Sequence, residues 1–245
     1  MSKQASSGTR SDEIADGIHR ISTPVLPPDF PGGFTYNQFL IADDEPLLFH
    51  TGMNRIFPAV RDALARIMPL ARLRYVSFSH NESDECGALN AWLEAAPNAI
   101  PLCSVVGART AISDYSLKPP RGMRHGERLP LGRHTVQWLD APHLPHGWDC
   151  GYLFEELTRT LFCGDLFTQP GSDHAPISEG DILGASEAMR SKVNYYSLSP
   201  DTRKLLRRLA DTRPQLLACM HGAAWRGDGA RLLMSLADAL ESAPA

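Results

Sequence analysis

Residues 79–87 read Ser79-His80-Asn81-Glu82-Ser83-Asp84-Glu85-Cys86-Gly87, between a β-like run, LRYVSF (73–78), and a helix-like one, ALNAWLEAA (88–96). One imidazole and three carboxylates thus fall within six residues, 80–85, where a strand hands over to a helix. Carboxylates this close raise one another's proton affinity unless water or a cation lies between them. Acidic residues at a helix start also serve as ordinary caps, favoured by the positive end of the helix dipole. Capping needs one oxygen, whereas this stretch alternates as H-x-E-x-D.

Histidines and acids recur where other β-like runs end. His50 follows LLF, His143 and His146 follow VQWLDAP, Asp165 follows LFCG, and His221 follows LLACM. Strand ends on one edge of a sheet converge, and such edges are where α/β proteins assemble ligand sites. Imidazole and carboxylate together are metal ligands, oxygen-rich enough here for iron or manganese; more nitrogen would suit zinc. As a set these residues outweigh the capping reading. His19, His125 and His134 read as surface residues.

The segments around them alternate in kind. GIHRIST, FTYNQFLIA and PLLFH are β-rich runs, and FPAVRDALARIM repeats Val60, Leu64 and Ile67 at helical spacing. The second half repeats the order, with strands at HTVQWLDA, CGYLFEE, RTLFCGD and QLLACMH and helices between and after them. Strands followed by helices, twice over, predict an α/β protein with two mixed sheets face to face and helices outside, an αββα sandwich. SLKPPRGMRHGE (116–127) and TQPGSDHAPISEG (168–180) are too short for linkers and read as loops over a site. Residues 13–245 are therefore expected to form one domain, after a polar tail at 1–12.

Bulk composition narrows the function. The 245 residues are 43% hydrophobic, enough for a real core, and carry a net charge of −4. No basic surface argues for nucleic acid. No apolar run approaches the roughly 18 residues that cross a bilayer, so a cytoplasmic protein without a membrane partner is expected. The five cysteines form no CxxC pair and read as reduced, mostly buried residues.

SHNESDECG, HGWD (146–149), LFCGDLF (161–167) and MHGAAW (220–225) resemble the successive motifs of the metallo-β-lactamase fold. More specifically they are similar to the diiron domain of flavodiiron proteins and to stand-alone oxygen-binding diiron proteins. GFTYNQFLI (33–41) and VNYY (193–196) share that likeness, which runs over nearly all of residues 13–240. Glu82 discriminates: zinc hydrolases of the fold usually read HxHxDH here, and diiron members HxExDH. The resemblance implies one iron on His80, Glu82 and His146 and another on Asp84 and His221, with Asp165 bridging. His146 fits the H-x-x-D spacing, leaving His143 as a pocket group. Glu85 stands where the family usually has a histidine, and it either ligates or swings away. His50 stands where an orienting aspartate is general.

The expected function is a non-haem diiron protein that binds dioxygen or nitric oxide, either reducing it or holding it without turnover as a sensor, with Tyr195 or His174 donating a hydrogen bond to the bound molecule. The same resemblance implies a homodimer. The chain has no GxGxxG turn and little length beyond His221, so no bound flavin is expected. Electrons would come from an external flavoprotein or rubredoxin-like donor. The alternative is a hydrolase of the same fold, with zinc or manganese, in which a metal-bound hydroxide attacks an ester, thioester or phosphodiester.

Overall fold

Arg10–Ala15 forms β1 and turns at Gly17, whose φ of +67° suits a residue without a side chain, into β2 (Ile18–Val25). The computed structural model describes residues 8–27, 30, 32–197 and 199–242. The polar tail expected over 1–12 is thus shortened, because residues 10–12 pair with Ser22, Ile21 and Arg20. Residues 1–7 of that tail lie outside the described residues.

The first sheet continues through β3 (Phe34–Ile41) and β4 (Leu47–Phe49), both antiparallel to their predecessors. Helix α1 (Phe57–Ile67) then returns the chain so that β5 (Tyr75–Ser77) lies parallel to β4. The helix starts with a proline in its first turn and ends where the Met68 N–H reaches back to the Leu64 carbonyl, just before Pro69. After β5 come α2 (Ser83–Cys86), α3 (Leu89–Ala95) and β6 (Ile100–Ser104). Next are α4 (Val105–Gly107), a π-helical turn (Ala108–Ile112), α5 (Ser113–Tyr115) and the parallel edge strand β7 (Arg121–Met123). β7 falls inside the segment 116–127 that reads as a loop over a site, and that segment does not line the cavity described below.

The second sheet holds β8 (Arg128–Pro130), β9 (Thr135–Asp140), β10 (Gly151–Glu155), β11 (Thr160–Phe162), β12 (Ile177–Ser178), β13 (Leu216–Ala218) and β14 (Ala224–Arg226). Their order is β12-β14-β13-β11-β10-β9-β8, and both sheets mix parallel and antiparallel pairs. Helices α6 (Leu183–Arg190), α7 (Thr202–Asp211) and α8 (Gly229–Ser242) complete the chain.

Three apolar clusters give the layers. α1 and α3 bury Val60, Leu64 and Trp92 against Leu40, Leu48 and Val76 of the first sheet. α7 and α8 bury Leu206, Leu209, Leu233 and Leu236 against Tyr152, Leu161 and Leu217 of the second. Between the sheets, Phe39 and Phe49 meet Phe162 at ring-centroid distances of 5.7 and 5.4 Å. Each such fully buried ring contributes about 1.5–3 kcal/mol. This is the αββα arrangement that the alternation of segments predicts. The five cysteines are free and buried. Among the described residues, no helix is long and apolar enough to cross a membrane.

Candidate metal centre

The SHNESDECG stretch leaves β5 and reaches α2 with Glu82 in extended backbone at the N-cap position, yet Glu82 makes no side-chain cap. It turns instead to two imidazoles: Glu82 Oε2 lies 2.8 Å from His146 Nε2 and 3.1 Å from His80 Nε2. The capping account of this acidic run fails at its first residue.

Each histidine is aimed by a bond to its other nitrogen. His146 Nδ1 lies 2.7 Å from the Tyr195 carbonyl, and His221 Nδ1 lies 2.9 Å from the Thr35 carbonyl. A carbonyl only accepts, so Nδ1 carries the proton in both rings and the Nε2 lone pair faces inward. His80 Nδ1 lies 2.9 Å from Ser79 Oγ, which lies 3.1 Å from His50 Nε2. This chain runs in one consistent sense if His80 donates to Ser79 and Ser79 to His50. Burial keeps His50 neutral, pushing it down to about 3. His50 thus orients His80 through Ser79, and its own φ is +66°. The Asn81 N–H is pinned by Asp149, the acid of the H-x-x-D spacing, at 3.0 Å.

Asp165, just past β11, joins the two halves. Its Oδ2 lies 3.7 Å from His80 Nε2 and 3.6 Å from His146 Nε2, while its Oδ1 lies 3.4 Å from His221 Nε2. Asp84 Oδ2 lies 3.4 Å from the same nitrogen of His221. Ligand atoms of His80, Glu82, His146 and Asp165 all fall within 4.8 Å of one another, as do those of Glu82, Asp84 and Glu85.

The electrostatics have one consistent sense. Burial pushes His221 down, but the hydrogen-bonding and charge of Asp165 and Asp84 overcome it and hold it up to about 10. His80 is raised too, its burial outweighed chiefly by the charge of Glu85. Bonds to His146 and His80 hold Glu82 down to about 2. Asp165 lies below its usual range despite burial, through His221 and His80. An Nε2 lone pair facing carboxylate lone pairs calls for a proton or a metal cation between them. The protein alone can place only protons there, and the donor set, three imidazoles and four carboxylates, fits iron or manganese.

Glu85 is wholly buried, and neither of its oxygens has a hydrogen-bond partner. Burial and the charges of Asp165 and Asp84 raise it well above the usual carboxylate range. The other expected residues divide. Tyr195 lines the cavity, its buried hydroxyl without a hydrogen-bond partner. His174 does not; its Nε2 lies 3.2 Å from the Pro170 carbonyl. His143 is exposed at a φ of +64°, outside the cavity lining, because its backbone closes a turn onto Gly147. His134, read as a surface residue, is wholly buried with Nδ1 3.0 Å from Glu155 Oε1.

A cavity of about 380 Å³ opens onto Glu82, Asp84, His146, Asp165 and His221. Its far wall is apolar and aromatic: Phe30, Phe34, Tyr36, Met189, Val193 and Tyr195. Phe34 and Tyr36 stand edge-on to His221 at 5.5 and 5.1 Å. Sequence reading missed the roles of Thr35, Ser79 and Asn37, whose Nδ2 donates to the Cys219 and Gly222 carbonyls beside His221; all three fix ligand loops without any charge to mark them. Two of them stand in the FTYN run that carried part of the resemblance.

Comparison with known proteins finds relatives of the same fold. The chain is 27% identical over 234 residues to the rubredoxin-oxygen oxidoreductase of Megalodesulfovibrio gigas, covering 89% of this chain and 58% of that protein. It is 26% identical over 214 residues to a nitric oxide reductase of Moorella thermoacetica, covering 84% and 53%. The chain therefore spans little more than half the length of these relatives. Its fold superposes on the solved rubredoxin oxygen:oxidoreductase of Desulfovibrio gigas with a TM-score of 0.83 and 26% identity, over 96% of this chain and 63% of that one. A fragment, 1–254, of a diflavin flavoprotein from Nostoc shares the fold at a TM-score of 0.82 and 18% identity, over 96% of both chains. The family described as ODP family beta lactamase matches residues 34–222, and the chain belongs to it.

Proposed function

We propose that the chain is a non-haem diiron protein that binds dioxygen or nitric oxide and, supplied with electrons, reduces it. The observation that carries this reading is Asp165, which turns one oxygen to the His80–His146 side and the other to His221. One iron is assigned to His80, Glu82 and His146, the other to Asp84 and His221, with Asp165 shared. Bound there, two irons would supply electrons jointly to a small diatomic ligand.

The chain's own residues do the rest. Tyr195 and Thr35 hold His146 and His221 in the tautomer that ligates. Phe30, Phe34, Met189 and Val193 give the cavity an apolar wall that suits an uncharged diatomic. Burial holds the Tyr195 hydroxyl up to about 12, so it keeps its proton at neutral pH and can donate a hydrogen bond into the cavity. Names of relatives such as rubredoxin-oxygen oxidoreductase and nitric oxide reductase support the substrate class and an external rubredoxin-like or flavoprotein donor. We further propose a cytoplasmic homodimer.

The test is anaerobic reduction of iron-loaded protein followed by rapid mixing with dioxygen or nitric oxide. A single turnover with each, and sustained turnover only with an added donor, is expected. Reduced protein inert to both gases would favour the metal-dependent hydrolase instead.

A further inference from the structure

The two halves of the cluster differ in chemistry. The first offers two imidazoles, His80 and His146, with Glu82 and Asp165. The second offers one imidazole, His221, with Asp84 and Asp165. Beside Asp84 stands Glu85, wholly buried and without a donor for either oxygen. One of its oxygens falls within 4.8 Å of ligand atoms of both Glu82 and Asp84. Its backbone carbonyl accepts the Thr51 N–H at 2.7 Å, and Cys86 beside it is buried, so the residue is fixed in place. A carboxylate cannot be left in the interior with neither a donor nor a cation.

We propose that Glu85 is a ligand of the second half, giving that half three carboxylates to one imidazole and making it selective for a harder divalent ion than the first half. Oxygen donors suit manganese and ferrous iron, whereas added imidazole favours zinc. The two positions would then fill unequally: the imidazole-rich half accepts iron or zinc, and the acidic half accepts iron or manganese and discriminates against zinc. The inference rests on the dinuclear reading above and adds the metal preference of each half.

The experiment uses the full chain, stripped of metal and given two equivalents each of zinc and manganese without oxygen. After desalting, metal content and the electron paramagnetic resonance of manganese are read. The wild type is expected to hold about one zinc and one manganese, the manganese giving a single isolated six-line signal. Glu85→Gln, which matches the protonated acid in shape, should keep zinc and weaken manganese retention by at least about tenfold. Glu85→His should also keep zinc and should now accept a second zinc in place of manganese. Equal manganese retention in wild type and Glu85→Gln would mean that Glu85 is merely a buried neutral acid, and the inference would fall alone. Zinc at both positions of the wild type would likewise overturn it. A wild type that binds neither metal would instead remove the dinuclear reading itself.

Discussion

Asp165 Oδ1 stands 3.4 Å from His221 Nε2, while its other oxygen faces His146 Nε2 at 3.6 Å. One side chain therefore belongs to both halves of the cluster. Asp165→Asn keeps the shape but replaces one acceptor oxygen with an amide that donates toward a lone pair. Metal content measured by elemental analysis should drop at both positions in Asp165→Asn. Glu82→Gln should empty chiefly the His80–His146 side. His143→Ala should leave metal content unchanged, and depletion by that variant with retention in His146→Ala would reverse the assignment of this loop.

The metal-free protein should lose stability in alkali where the metal-loaded protein does not. His221 is raised from 6.5 to about 10, so its contribution is complete below pH 6.5 and is lost as pH rises through 10. Glu85 acts in the same sense, since a carboxyl raised above its ordinary 4.5 favours the fold only while it keeps its proton. Glu82, held down to about 2, contributes above 4.5 and loses its effect only as pH falls toward 2. His50, lowered to about 3, contributes fully above 6.5 and adds no slope there. Bound cations replace the protons on His221 and Glu85. Melting temperatures with and without metal should therefore diverge between pH 6.5 and 10. Parallel curves across that range would mean that these groups do not share a cation.

Tyr195 holds His146 with its backbone and faces the cavity with its ring. Tyr195→Phe removes only the hydroxyl, so metal content should stay as in wild type. The rate of reaction of the reduced protein with dioxygen should fall by about 100-fold or more if that hydroxyl supplies a proton. An unchanged rate would make the residue purely a support for His146.

The His221 loop is held from the opposite sheet. Asn37 Nδ2 donates to the carbonyls of Cys219 at 2.9 Å and Gly222 at 2.8 Å, and buried Arg20 donates to Gly222 at 2.8 Å. Asn37→Ala should cost about 1–3 kcal/mol in denaturant unfolding, because two buried carbonyls lose a donor. It should also weaken metal at the His221 side with no change at the His80 side. Stability lost evenly with and without metal would separate Asn37 from the site.

Much of this is legible in the sequence because the chemistry is written in residues whose types are costly elsewhere. H-x-E-x-D after LRYVSF, and single acids or histidines after later strands, stand out against capping and packing, and the structure brings six of them together. The αββα layering follows from runs such as FTYNQFLIA and TVQWLD, whose apolar residues the sheets bury. The misses are also physical. β1 was hidden because Arg10, Ser11 and Asp12 are polar residues on an edge strand, where pairing is backbone work. β7 was hidden by Pro119, Pro120 and Gly122, which an edge strand tolerates. His134 looked like a surface group because its partner Glu155 is 21 positions away and on another strand. His143 and His146 share a loop, and only the backbone turn to Gly147 tells which one faces the cavity.

The electron supply gives a further check. Protein purified as these 245 residues is expected to carry no stoichiometric flavin and to leave NADH unoxidised without an added donor. Flavin released on denaturation in amounts equal to protein, or steady NADH-driven oxygen uptake by the chain alone, would contradict this.

Metal identity tests the central claim most directly. Protein expressed in iron-rich medium and purified without added metal should contain about two irons per chain, with Mössbauer spectra of a coupled pair. Two zincs per chain and no iron under those conditions would contradict the diiron account.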